Sequence, residues 1–215
     1  MKRREEAEVQ MLLFVRQGGW IMFPLAICSL AGLTIIIERF IALRRSAVID
    51  PRILRLVSEY SERTAADKAL LLCKRAKGPF ARLIEEVIRA RHLDQTQALE
   101  LMHAVGRSQV GTLERGLTVL EIIAGASPLL GLLGTVLGMR TVFNAITSQG
   151  LGNPQVLSDG ISKALVTTVA GLCVAIPALA CHSWFSRRVD DLAVEMQDRA
   201  TGFVAKLQAY RGRNE

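Results

Sequence analysis

Three stretches of the chain carry no formal charge: residues 20–37, 122–139 and 164–186, the last containing one histidine, His182. A helix of about 20 apolar residues covers the roughly 30 Å hydrocarbon core of a bilayer. Each stretch therefore has the length of a membrane span. None alternates with period two over ten-residue segments, which argues against barrel strands. The pattern predicts an all-α chain with three transmembrane helices at residues 20–37, 122–143 and 161–185. Trp20 and Phe23 suit an interfacial entry to the first span. Pro24 falls in its first turn, where a missing N–H costs little.

The segments between the spans are polar. Within residues 1–19, the run from Val9 to Val15 is apolar but short and reads as an amphipathic helix lying at the interface, leading through Gly18-Gly19 into the first span. No cleavage site precedes that span, and no cleaved signal peptide is expected. Residues 38–121 read as a long helical region. Asp50-Pro51 marks a helix start, and Leu54, Val57, Leu70, Leu71, Ile84, Val87 and Ile88 recur at helical spacing. Gly78-Pro79 breaks that region, and another helix is expected over residues 96–110 after Asp94. The second span's helix is expected to begin early, near Leu113. Residues 144–160, rich in Gly, Asn, Ser and Pro, read as a loop. Residues 186–215 read as a charged helix, with Leu192, Met196, Phe203 and Leu207 on one face.

The 215 residues include 27 Lys and Arg against 20 Asp and Glu, a net charge of +7. Such a balance can indicate nucleic acid, but membrane proteins also collect basic residues on cytoplasmic segments, and no nucleic-acid partner is expected. Basic residues number 4 in residues 1–19, 15 in 38–121, 2 in 140–163 and 6 in 186–215. Three spans place the second and fourth segments on one side, so both are predicted to be cytoplasmic. The N-terminus and the 144–160 loop are then external, with Lys2-Arg3-Arg4 dissenting. Cys28, Cys73, Cys173 and Cys181 show no metal-ligand spacing. They read as small buried hydrophobes, and neither a metal nor a cofactor is expected.

Two stripes of small residues stand out in the spans. In the second, Ala124, Ser127, Gly131, Gly134, Thr135 and Gly138 lie three or four apart and share a face. Leu129, Leu130, Leu133 and Leu137 occupy the other, lipid-directed face. In the third, Ala164, Thr168, Gly171, Ala175 and Ala178 repeat the pattern, and Pro177 interrupts the backbone ladder. Small residues let membrane helices approach closely. Two such stripes exceed what the first span can cover, so self-association into a ring is expected. Thr135, Thr167 and Thr168 have two open readings: bonds back to their own helix, or hydroxyls facing a wet lumen.

Residues 131–139 (Gly-Leu-Leu-Gly-Thr-Val-Leu-Gly-Met), with Phe143 after them, resemble the second-span signature of the MotA/TolQ/ExbB proton-channel family. Residues 161–178, from Ile161-Ser162-Lys163-Ala164-Leu165 through Thr167-Thr168 to Pro177-Ala178, resemble its third-span signature. Glu38-Arg39 and the long segment after it resemble the ExbB/TolQ branch. The resemblance implies a homopentameric ring in the bacterial inner membrane around a single-span partner similar to ExbD or TolR. That partner supplies an intramembrane aspartate, and the work passes to a TonB-like or TolA-like protein. Carried over by motif, Thr135 and Thr168 are the lumen hydroxyls beside that aspartate, and Pro128 and Pro177 shape the lining. Thr135, Thr167, Thr168 and Lys163 are the candidate proton pathway. Gly131, Gly134, Gly138, Gly171, Pro128 and Pro177 are candidate packing residues.

At Lys163 the chain departs from the family pattern, in which many members carry glutamate. Lys163 reads either as snorkelling at the outer face or as one of a ring of charges at a pore mouth. The three spans contain no Asp or Glu, so a proton-driven machine built on them must borrow its titrating group. Glu121, Arg140 and His182 read as interfacial charges. An enzyme is not expected, since no G-x-S-x-G or H-E-x-x-H motif and no paired carboxylates occur in the spans. The competing readings are TolQ-like envelope maintenance and a non-conducting membrane scaffold.

Overall fold

The computed structural model describes residues 19–60, 66–76, 78–149 and 154–211. The interfacial helix expected before Gly19 lies outside these residues. Every regular element among them is helical: a 3-10 turn at Gly19–Ile21, then α1 (Met22–Ala42), α2 (Arg45–Val48), α3 (Pro51–Glu59), α4 (Ala66–Arg75), α5 (Pro79–Arg89), α6 (Gln95–Leu113), α7 (Leu117–Gln149) and α8 (Pro154–Arg211). Three stretches within these helices, Gly19–Ala42, Leu117–Thr147 and Ser158–Tyr210, are long and apolar enough to cross a membrane.

Two boundaries differ from expectation. The second-span helix does not begin near Leu113, because α6 ends there and Gly116, at a φ of 82°, turns the chain before α7. Glycine takes that left-handed conformation without a Cβ penalty. The 144–160 segment is also less loop-like than its composition suggests. Helix α7 runs to Gln149 and α8 begins at Pro154, leaving only residues 150–153 outside the described elements.

The chain divides into two compact units. The first comprises the described residues up to Ile37 together with Thr118–His182. In it α7 and α8 meet along two rows of small side chains. The buried positions of α7 in this unit are Leu120, Ile123, Ser127, Gly131, Gly134, Gly138 and Val142. Those of α8 include Gly160, Ala164, Thr167, Gly171, Ala175 and Ala178. Leu120, Gly131 and Val142 are eleven residues apart, as are Gly160 and Gly171, and Ala164 and Ala175. An eleven-residue step is 3.67 residues per turn, close to an unstrained helix. Both rows therefore stay on one face with almost no supercoiling. Ile21, Met22 and Leu25 at the start of the first span bury against Ala170, with Leu130 and Leu137 packed onto them. Leu130 and Leu137 thus serve the protomer core rather than the lipid-directed face, whereas Leu129 and Leu133 are exposed as expected.

The second unit comprises the described residues of 38–117 and 183–211. Its core is built on α5, whose Phe80, Leu83, Ile84, Val87 and Ile88 are all buried. Phe185, Val189, Leu192, Met196, Ala200 and Phe203, at helical spacing on α8, are buried as well. Tyr60 meets Phe203 edge-on at 5.2 Å. The helix starts follow from local chemistry: the Asp50 carboxylate accepts from the Arg52 N–H at 2.8 Å, and Asp94 from that of Gln97 at 2.7 Å. Each satisfies an amide with no partner inside its own helix. On α4 the buried positions are Ala69 and Cys73, while Leu71 is exposed.

Candidate functional site

The row on α7 gives α8 the room it needs. A Cβ on Gly131 would lie 3.0 Å from the Thr167 carbonyl oxygen and 3.1 Å from the Thr168 Cα. One on Gly171 would lie 2.5 Å from the Ser127 carbonyl oxygen. One on Gly138 would meet the Ala164 Cβ and the Gly160 carbonyl oxygen, each at 3.0 Å. At Gly134 it would overlap the Thr167 side chain. These glycines put the two backbones in direct contact, which is how membrane helices gain dispersion energy without a hydrophobic driving force. Gly131, Gly134, Gly138 and Gly171 are packing residues within one chain. The two small-residue stripes cover each other, so they give no argument for a ring, contrary to the expectation from spacing.

The three threonines separate into two kinds. Thr167 is 1% exposed and donates to the Ala164 carbonyl at 2.8 Å. It takes the place in the seam between α7 and α8 that spacing assigns to Thr168, and that burial removes it from any lumen outside the protomer. Thr135 is partly exposed and donates to the Leu132 carbonyl at 2.7 Å. Thr168 is also partly exposed, and its hydroxyl reaches the Gly131 and Ala164 carbonyls only at 3.5 Å each. That is long for O–H···O, whose usual range ends near 3.0 Å. The Thr168 proton is therefore the least committed of the three. Ser127 is fully buried, and among the described residues its Oγ has no hydrogen-bond partner. Pro128 is half-buried inside α7, and Pro177 is exposed inside α8.

Lys163 is exposed, and its side chain runs past Gly19. Its Cε and Nζ lie 2.6 and 2.8 Å from where a Cβ on Gly19 would stand, and Gly19 has a φ of 69°. A cavity of about 230 Å³ opens beside it, lined by Trp20, Ile21, Leu137, Arg140, Thr141 and Asn144 among others. Sequence reading treats Arg140 and Lys163 separately and misses that both line one space. Gly160, read as a loop residue, packs against Val142. Its position four residues before Ala164, in step with the small-residue row, is the signal that could have found it. Glu121 is exposed and His182 half-buried. Glu38 and Arg39 pair with each other at 2.7 Å, and Arg39 also donates to the Leu113 carbonyl at 2.9 Å. Among the described residues, no group of three or more His, Cys, Asp and Glu could hold a metal ion.

Comparison with known proteins points the same way as the two span signatures. The chain is 31% identical over 177 residues to a protein of Methanothermobacter thermautotrophicus described as an ExbB homolog of biopolymer transport, covering 82% of this chain and 63% of that one. It is 32% identical over 167 residues to an ExbB-like biopolymer transport protein of Synechocystis, covering 76% and 65%. Over 92 residues it is 33% identical to the Tol-Pal system protein TolQ of Haemophilus influenzae, covering 43% and 40%. The chain thus spans somewhat under two thirds of the length of the first two relatives. Residues 75–198, which contain both span signatures, match the family model. With three helices of spanning length and more than half its residues inside that match, the chain is a multi-pass membrane protein and belongs to the MotA/TolQ/ExbB proton channel family.

Proposed function

We propose that this chain is the ring subunit of an inner-membrane motor driven by the proton-motive force. Together with a single-span partner similar to ExbD or TolR, it turns proton flow into work for TonB-dependent import across the outer membrane. The observation that carries this reading is the Thr168 hydroxyl: partly exposed on the protomer and bound only at 3.5 Å to carbonyls. It lies in a span set that has no carboxylate of its own. A hydroxyl with an available proton can support an acid brought by another chain, and burial would keep that acid's pKa movable. Thr135 is the second hydroxyl of this surface. The large apolar side chains exposed along the same helices, Leu129, Val136 and Ile176 among them, then face lipid or neighbouring protomers of a pentamer. The N-terminus lies in the periplasm and the second unit in the cytoplasm, the side rich in Lys and Arg.

The match to a TolQ protein favours a second reading, in which the same ring serves the Tol–Pal system and works through a TolA-like protein. Both readings predict co-purification with a small protein bearing one span and an intramembrane aspartate. They also predict a complex mass in mild detergent equal to several copies of this chain plus the partner, and loss of the serviced process when the proton gradient is collapsed. A non-conducting scaffold would keep its function under the uncoupler. A chain that stays monomeric in lipid, with or without that partner, would end the motor proposal.

A further inference from the structure

The cavity beside Lys163 is lined by two cationic side chains. Lys163 and Arg140 are those two, and among the described residues no acid lines it. The lysine is solvent-exposed, yet its end has a definite neighbour. Its ammonium end sits on the bare Cα of Gly19, a residue whose φ of 69° suits glycine and whose missing Cβ leaves the space that the lysine fills. Two like charges lining one small space favour an anion between them.

The cavity's depth narrows what that anion is. Arg140 follows directly on the charge-free run 122–139, Lys163 directly precedes the run beginning at residue 164, and Trp20 opens the first. All three mark the level where apolar helix gives way to water. Trp20 is 71% exposed, as befits an indole at the headgroup level of a bilayer. Ile21 and Leu137 give the cavity an apolar wall. At about 230 Å³ it is smaller than the roughly 300–1,000 Å³ of ordinary small-molecule pockets. It therefore suits a headgroup whose hydrocarbon part remains outside, along the exposed apolar faces of the spans. We propose that this cavity binds the phosphodiester headgroup of an anionic glycerophospholipid, with Lys163 and Arg140 sharing its charge.

The full chain, in the oligomeric state in which it purifies, is titrated with phosphatidylglycerol, phosphatidylcholine or inorganic phosphate in mild detergent, and retained adducts are counted by native mass spectrometry. Phosphatidylglycerol is retained in preference to phosphatidylcholine, and millimolar phosphate does not displace it. Lys163→Gln and Arg140→Gln each weaken phosphatidylglycerol binding about fivefold, and the double variant about 30-fold, with phosphatidylcholine binding unchanged. Lys163→Arg and Arg140→Lys keep most of it. Equal retention of the two lipids, or an unaffected double variant, overturns the proposal. Full displacement by phosphate also overturns it, because the site would then take a free anion. Should the glutamine variants fail to fold, a photoactivatable phosphatidylglycerol applied to the unaltered chain decides the matter. Label in peptides containing Trp20 or residues 140–144 supports the site, and its absence from both overturns it.

Discussion

Thr167 lies against Gly134 so closely that a methyl group on the glycine would overlap the threonine's Oγ1 and Cβ. The buried threonine and the bare glycine set the separation of the second and third spans. Gly134→Ala gains up to about 1 kcal/mol of helix propensity but forces the backbones apart, and overpacking of that kind costs about 1–3 kcal/mol. A lowered unfolding midpoint in detergent is expected. Gly125→Ala is the matched control, since nothing stands within 4 Å of its would-be Cβ. It should be neutral or slightly stabilising. Adding Thr167→Ala to Gly134→Ala should recover part of the loss, because the two sites are in contact and their effects cannot add independently.

The same pair shows where sequence reading succeeds and where it stops. Gly131, Gly134 and Gly138 are legible as a close-packing row because small residues at steps of three and four are visible in the letters. Their partner is not, because a stripe does not name the surface it meets. Spacing is as consistent with a second protomer as with α8. Thr167 and Thr168 are adjacent, so a rotation of about 100° along the helix decides which of them is buried, and the small-residue count favours the wrong one. On α4, Ala69 and Cys73 are buried while Leu71 is exposed, because packing there rewards fit over side-chain size. The three spans themselves are readable because some twenty consecutive residues without a charge match the length that a bilayer demands of a helix, a condition a solvated surface does not impose.

The two classes of threonine predict separable phenotypes. Thr168→Val and Thr135→Val should each lower energised transport by about 3- to 10-fold, the equivalent of one hydrogen bond, with little change in the thermal midpoint. Both side chains are only partly buried, and valine preserves their shape. Thr167→Val should act on the fold instead. It removes the 2.8 Å bond to Ala164 and leaves a methyl group in the tightest part of the seam, at a cost of about 1 kcal/mol. Transport assays paired with melting curves distinguish the two. Unchanged transport in both Thr135→Val and Thr168→Val would defeat the assignment of these hydroxyls to the proton pathway.

Arg39 is a structural residue by its contacts. It is 8% exposed, holds Glu38 through Nη2 at 2.7 Å and Nε at 3.0 Å, and donates through Nη1 to the Leu113 carbonyl at 2.9 Å. That carbonyl belongs to the last residue of α6, where the helix supplies no donor of its own. Arg39→Met should destabilise the chain by about 2–3 kcal/mol, the range for losing hydrogen bonds to a charged group and stranding a buried acceptor. Arg39→Lys should recover little, because an ammonium cannot reproduce the planar fork that serves carboxylate and carbonyl together. Equilibrium unfolding of both variants tests this, and a lysine variant as stable as the parent would contradict it.

Two groups in the second unit give pH trends of opposite sense. Glu195 is held below the usual carboxylate range, chiefly by its hydrogen bond from Arg45; burial opposes this, and the charges of Arg45, Arg199 and Arg188 add smaller pulls in the same direction as the bond. A depressed folded pKa means stability that is present above the unfolded carboxylate value and lost as pH falls through the folded one. The pair is on the surface, so the effect is small and weakens further with salt. Arg45→Gln should flatten the acid limb. Cys73 behaves conversely. Burial, reinforced by the negative charge of Glu85, pushes its thiol up to about 11. Its neutral form is favoured in the fold, so this contribution is intact below the ordinary thiol pKa and disappears as pH rises from there to about 11. Cys73 is 1% exposed, and the thiolate is the reactive species. Alkylation of the native chain at pH 8 should therefore leave Cys73 unmodified while denaturant makes it react fully. Mass mapping of the Cys73 peptide reads this out, and rapid native labelling at that pH would show that α4 opens far more readily than its packing allows.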